Sequence, residues 1–306
     1  MYIKDYPMNT NIRSVQNHRL DREAGAIIYP VISRRSRGLS VGINLFPDKK
    51  LCSFDCPYCE VYPFQTDLRF SLKAMEQGLR NLAEQLKARN EADTVRDISF
   101  SGNGEPTLHP EFISALKLAF HLRNELFPGA QLVLITNGSG LLHPALADFL
   151  AEAARGKKPF RESPYIDERV LALQIWLKFD AGTEDWYKKI NRSAIPFMAL
   201  NEAIDDFARR APFIIQTMVC KIDGQLPPPE EVSAWETRVR QLAERSVECS
   251  KSGGPVGPQA IQLYGKARPA PEDPLAEPVT EAYLRDRSAS LEKALEPYNL
   301  PVEVFV

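Results

Sequence analysis

The sequence predicts an α/β protein in which short parallel strands alternate with helices. Three observations predict it. Six short, almost continuous apolar runs recur along the chain, as expected of strands covered on both faces. Between them lie stretches with helical apolar spacing. The length of 306 residues allows one barrel-sized domain with extensions or two smaller domains.

Taken in order, GLSVGINLFP (38–47) reads as the first strand. Residues 67–89 follow as a helix, with Leu68, Leu72, Met75, Leu79, Leu82 and Leu86 on one face. TVRDISFSG (94–102) is the second strand and 110–126 the next helix. AQLVLITNG (130–138) precedes a helix at 143–154, and VLALQIWLKFDA (170–181) precedes one at 197–210. PFIIQTMVC (212–220) leads to a helix at 229–246, and AIQLYGKA (260–267) is the sixth strand. The aromatics of LQIWLKF read as packing residues. Two stretches break the rhythm: a basic insert, 155–168, which is a candidate substrate-contacting loop or a surface excursion, and a Gly/Pro linker, 250–258. A Pro-rich tail, a helix at 279–295 and a final strand VEVFV complete the chain. The domains expected are an extension over 1–37, a barrel over 38–268 and an extension over 269–306. Strands joined by helices place reactive residues just after the strands, at their C-terminal ends.

Composition narrows the function. Lys plus Arg is 38 against 40 for Asp plus Glu, a formal net charge of −2, which argues against a dedicated nucleic-acid binder. No apolar window has the length of a membrane span, and the polar N-terminus lacks a signal-peptide core, so the expected location is cytoplasmic. The N-terminal stretch is rich in arginine (Arg13, Arg19, Arg22, Arg34, Arg35, Arg37), either a solvated extension or a face for phosphates.

Five cysteines are too few and too clustered for a disulfide framework. Cys52, Cys56 and Cys59 lie in LCSFDCPYCE, directly after the first strand. No histidine follows within the next 40 residues, so a four-ligand structural zinc site would need a distant partner. A bacterial ferredoxin run would carry a different spacing and a fourth cysteine. Three thiolates suit three corners of a [4Fe–4S] cluster, leaving the fourth iron open. Cys220 and Cys249 read as a small buried hydrophobe and an incidental helix-end thiol, and His109 as a helix-start residue.

The CxxxCxxC spacing resembles the radical S-adenosylmethionine (SAM) superfamily. SGNGEPTLHP (101–110) stands where that superfamily has a Gly-Gly-Glu motif. The segments SRRSRGLSVGINLFPDKK, LITNG, LKFDAGTEDWYKKINR, IIQTMV and IQLYGKARPAPE are similar to the subgroup of wyosine-type tRNA-modifying enzymes. The resemblance spans roughly residues 30–275. It implies a partial (β/α)6 barrel of parallel strands, with N- and C-terminal extensions.

It also implies roles. Cys52, Cys56 and Cys59 would ligate the cluster, and Tyr58 would lie beside the adenine of SAM. The backbone of Gly102, Asn103, Gly104 and Glu105 would take hydrogen bonds from the SAM amino group, glycine permitting close approach. Thr136 and Asn137 would reach the ribose or the carboxylate. Asp180, Asn191, Arg192 and Gln216 would complete the SAM site, Arg192 by a bidentate pair. Lys178 is a candidate catalytic residue, as a Schiff-base amine or a salt-bridged cation. Reductive cleavage would yield methionine and a 5′-deoxyadenosyl radical that takes hydrogen from the substrate, an oxidoreductase or transferase chemistry.

A small molecule or nucleotide is the substrate class expected, with flavodoxin or ferredoxin as electron donor. Wyosine-type enzymes carry further cysteines before the main motif, and none precedes Cys52. A tRNA guanine-modifying enzyme is the first alternative. A non-catalytic iron–sulfur or zinc protein that senses redox state or holds a partner is the second.

Overall fold

The computed structural model describes residues 26–156, 172–250, 255–268, 270 and 273–306, with the side chains of 248–250 outside that description, so the first half of the Gly/Pro linker expected over 250–258 lies outside the described residues. The basic insert over 155–168 therefore lies almost wholly outside the described residues, as does the Cys249 side chain.

Strands β1 (Ile28–Ser33) and β2 (Gly38–Ile43) form an antiparallel hairpin around residues 34–37. Next come helix α1 (Leu72–Ala88), β3 (Val95–Phe100), α2 (Phe112–Leu126), β4 (Gln131–Thr136) and α3 (Pro144–Ala154). They are followed by β5 (Leu173–Lys178), α4 (Glu184–Ile190), α5 (Phe197–Ala208), β6 (Pro212–Ile222), α6 (Pro229–Ser250) and β7 (Gly257–Gly265). Strand β8 (Ala276–Pro278), α7 (Glu281–Leu295) and β9 (Val302–Phe305) close the chain.

The strands line up in the order β1-β2-β3-β4-β5-β6-β7-β9, with β8 paired to β6. From β2 to β7 every neighbouring pair is parallel. These are the six strands expected from the sequence, in chain order, and the sheet is a curled half-barrel. The ends depart from the expectation. Strand β1 falls inside the arginine-rich extension, and β9 pairs in parallel with β7, so both belong to the sheet. Arg37, in the hairpin turn, meets Glu303 of β9 at 2.8 Å, so a side chain from one edge of the sheet reaches the other.

Side-chain alternation shapes the interior. Leu39, Val41 and Ile43 of β2 are fully buried in the large core, which includes the apolar face of α1. The intervening Ser40 and Asn44 line a central cavity. Small polar residues on that face, with Ser99 of β3 and Ser101 just after it, leave room inside the curl that larger side chains would fill. Opposite them, Val133, Trp176 and Ile214 form a small apolar cluster of their own, so Trp176 packs the barrel as expected.

Helix α1 starts five residues later than the periodicity suggests. The Ser71 hydroxyl accepts the Ala74 amide at 3.2 Å and caps the helix, leaving Leu68 outside and 52% exposed. No described helix is long and apolar enough to cross a membrane. Cys220 is buried in β6, as a small hydrophobe would be, opposite Pro278 of β8.

Candidate active site

A cavity of about 330 Å³ opens inside the curl. Cys52, Cys56 and Cys59 line it from the loop that follows β2. Gly102 to Glu105, Thr136, Asn137, Tyr58, Lys178 and Gln216 line it too. Asp180 stands just behind this surface, and Arg192 lies off it.

The cysteine loop is bound to the tip of β3 by main chain. Leu51 N donates to the Asn103 carbonyl at 3.1 Å, and Glu105 N donates to the Leu51 carbonyl at 2.9 Å. Gly104 sits between these two bonds. A methyl group there would come within 1.7 Å of the Leu51 carbonyl oxygen, so the glycine serves backbone approach to the cysteine loop. Gly102 has φ +121°, which glycine adopts freely. The Asn103 side chain donates to the Phe46 carbonyl at 3.0 Å.

Glu105 is fully buried and its carboxylate is spoken for. It accepts Thr107 Oγ1 at 2.6 Å, Thr107 N at 3.2 Å, Thr136 Oγ1 at 2.7 Å and the Asn137 amide at 2.7 Å. Burial pushes its pKa up, against the pull of these donors. Its side chain therefore joins β3 to β4. Glu105→Gln would turn an amide nitrogen toward a donor in that set and should cost about 2 kcal/mol, read as a lower unfolding free energy in urea.

Asn137 donates to Ser53 Oγ at 2.9 Å and reaches Cys52 Sγ at 3.6 Å. The Phe54 amide points at the same sulfur at 3.4 Å, and Asn191 Nδ2 reaches Cys56 Sγ at 3.6 Å. Burial pushes the Cys52 thiol up to about 11 and the Cys56 thiol up to about 12. These thiols stay protonated at neutral pH unless a cationic group offsets the burial.

Tyr58 donates its phenol to Asp180. Asp180 also accepts Asn191 Nδ2 at 3.0 Å and the Met218 amide at 2.9 Å. Its side chain has no exposed surface, so it fixes Tyr58 and β6 in place of a ligand contact. Lys178 donates to the Tyr264 hydroxyl at 2.5 Å, lies 3.6 Å from Asp180 and sits over the rings of Tyr58 and Tyr264. Burial alone would lower its pKa, but the charge of Asp180 and the hydrogen bond to Tyr264 act against it and raise the value. The ammonium is thus held as a salt-bridged cation, one of the two roles expected of it.

Two further expectations change. Arg192 pairs with Asp273, so its guanidinium is already engaged by the chain's own carboxylate. Gln216 accepts Arg35 Nη1 at 3.1 Å and donates to Gln262 at 2.8 Å, so it positions Arg35. His109 packs edge-on against Phe46 and Phe70 before α2, as a helix-start residue.

The sequence reading missed Tyr264, Arg268 and the inward course of Arg34 and Arg35. Tyr264 could have been found from the alternation of β7, which puts Gln262 and Tyr264 on one face near the strand's end. Nothing in the sequence shows that the hairpin turn folds into the cavity.

The model of the radical SAM superfamily matches residues 50–158, which hold the cysteine loop and the tips of β3 and β4. A protein called UPF0026 protein from Helicobacter pylori strain 26695 is 25% identical over 205 residues, 63% of each chain. Its counterpart from strain J99 is 30% identical over 124 residues, 40% of this chain and 38% of that one. The matches thus span less than two thirds of those relatives. A radical SAM methyltransferase from Sphaerobacter thermophilus superposes with a TM-score of 0.56 at 14% identity, covering 90% of this chain and 68% of that chain. Streptococcus suis SuiB superposes at 0.54 and 13% identity, covering 89% and 51%. The family match and the shared fold support the radical SAM superfamily; neither singles out the wyosine-type subgroup.

Proposed function

We propose that this chain, which carries a radical SAM domain, is a radical SAM enzyme with a [4Fe–4S] cluster on Cys52, Cys56 and Cys59. One observation carries the reading: the three cysteines of one loop line the same cavity as the tips of β3 and β4. The donor set fits the group. Three cysteines on one short loop suit a cluster that meets each sulfur at a separate corner.

When bound, the cluster and SAM supply reductive cleavage to methionine and a 5′-deoxyadenosyl radical for hydrogen abstraction. The chain's residues bind and orient. Asn137, the Phe54 amide and Asn191 donate to the sulfurs that would ligate the cluster, and such bonds would tune its potential. Asp180 and Lys178 hold Tyr58 beside the cysteines, where its ring would flank the adenine. Ile135 and Trp176 put apolar surface on the cavity wall, which would limit water there. A one-electron donor of the flavodoxin or ferredoxin type would supply the reductant. A small molecule or nucleotide is the substrate class this reading takes, with a base flipped out of a tRNA as the alternative.

The test is anaerobic reconstitution. A brown protein with iron in excess of zinc, releasing 5′-deoxyadenosine from SAM with dithionite, is the expected result. A colourless zinc protein that leaves SAM intact would overturn the reading.

A further inference from the structure

The cavity has two chemically different walls. Around the cysteines the polar side chains satisfy one another, as Glu105, Thr136 and Asn137 show. The other wall is cationic. Arg34 and Arg35 enter from the turn between β1 and β2, and Arg268 from the segment after β7.

Two of these three have partners. Arg35 donates to Gln216 and lies 5.6 Å and 5.1 Å from the ring centres of Trp176 and Tyr264. Arg268 pairs through Nε with Glu60 at 2.7 Å, beside Cys59. Arg34 makes no ion pair among the described residues. The carboxylates on this side are Glu60 and Asp97, and Asp97 is pushed toward its neutral form by burial while accepting the Ser40 hydroxyl at 2.6 Å. Among the described residues, three guanidinium groups thus face two carboxylates, and Glu60 is shared between its ion pair with Arg268 and a weaker attraction to Arg34. Arg34 pays for this placement: burial, then the charges of Arg268 and Arg35, lower its pKa against the weaker pull of Glu60. Holding a half-buried guanidinium beside two others is unfavourable until a counter-charge arrives. Its planar fork matches the oxygens of a phosphate or carboxylate.

We infer that the substrate carries an oxyanion, a phosphate or a carboxylate, which Arg34 binds with Arg268 beside it. The inference rests on the radical SAM reading only in taking this ligand to be the substrate; the anion site stands or falls on its own measurements.

Pyrophosphate and malonate are titrated by calorimetry into the anaerobic, iron-loaded chain saturated with SAM. The expected result is saturable binding at one site, weakened at least about tenfold in Arg34→Gln and in Arg268→Gln. Arg34→Lys, which keeps the charge and loses the fork, should fall between wild type and Arg34→Gln. Arg240→Gln, on the exposed side of α6, should bind as wild type does. Tighter pyrophosphate identifies a phosphate-bearing substrate, and tighter malonate a carboxylate. Thermal unfolding of each variant confirms that it is folded.

The inference is overturned if neither anion binds, or if folded Arg34→Gln and Arg34→Lys bind as wild type does. It is also overturned if SAM abolishes pyrophosphate binding seen without SAM, for the arginines would then serve SAM's own carboxylate. Release of 5′-deoxyadenosine by the wild type is measured in parallel. Its absence, with anion binding intact and dependent on Arg34, would sink the radical SAM reading and leave the anion site.

Discussion

Cys56→Ala should abolish SAM cleavage. With dithionite under anaerobic conditions, 5′-deoxyadenosine should fall more than about a hundredfold, since loss of even an outer group around a metal costs 10–100-fold. Iron per chain should drop and the brown colour fade. Cys56 is one of three cysteines lining the cavity, and Asn191 points at its sulfur. No other described side chain stands ready to replace it, because Cys220 is buried in β6 and does not line the cavity. Cys220→Ala is the matched control. It should lose about 1 kcal/mol of stability for the small void left behind and keep its iron and its product. A Cys56→Ala protein that still cleaves SAM would refute the assignment of the cluster. A Cys220→Ala protein that loads iron yet stops reacting would point instead to a mechanism with a further working cysteine.

Gly104→Ala should be among the most damaging single-methyl changes available. The added carbon would lie 1.7 Å from the Leu51 oxygen and 2.6 Å from its carbonyl carbon, both of them backbone. Neither can swing away as a long side chain would. The strands must part, and the two hydrogen bonds between Leu51 and residues 103 and 105 go with them. A loss of about 3 kcal/mol or more in urea unfolding is expected, together with poor iron loading, because Cys52 is the next residue. Gly129→Ala, where a methyl meets nothing within 4 Å, should change stability by less than about 1 kcal/mol. Equal behaviour of the two variants would refute the close-approach account.

The cysteine motif was legible because its three residues are neighbours in sequence and one loop presents them together. The six parallel strands were legible because each is an apolar run with a helix behind it. What eluded the sequence depends on contacts between distant segments. Strand β1 contains Pro30 and runs into two arginines, which reads as polar extension until β2 is seen beside it. Gly102 and Gly104 suggested a ligand's approach, whereas Gly104 admits the cysteine loop. Glu105, Asp180, Arg192 and Gln216 had the right chemistry for SAM, yet each is also held by partners from other segments, 11 to 181 residues away along the chain, as Asp180 is by Asn191 and Gln216 by Arg35. A polar residue at a strand tip announces a hydrogen bond, and only the fold decides to whom.

The bonds around the cysteine loop form a closed circuit. Leu51 is tied to residues 103 and 105, Glu105 to the amide of Asn137, and the Asn137 side chain to Ser53, two residues beyond Leu51. No member of that ring can open without breaking a bond held by another. The amides of Leu51, Glu105 and Asn137 therefore share a single opening event, and they should exchange their hydrogens with solvent at a common rate. Iron bound at Cys52 would add its own affinity to the cost of that event and slow all three amides together.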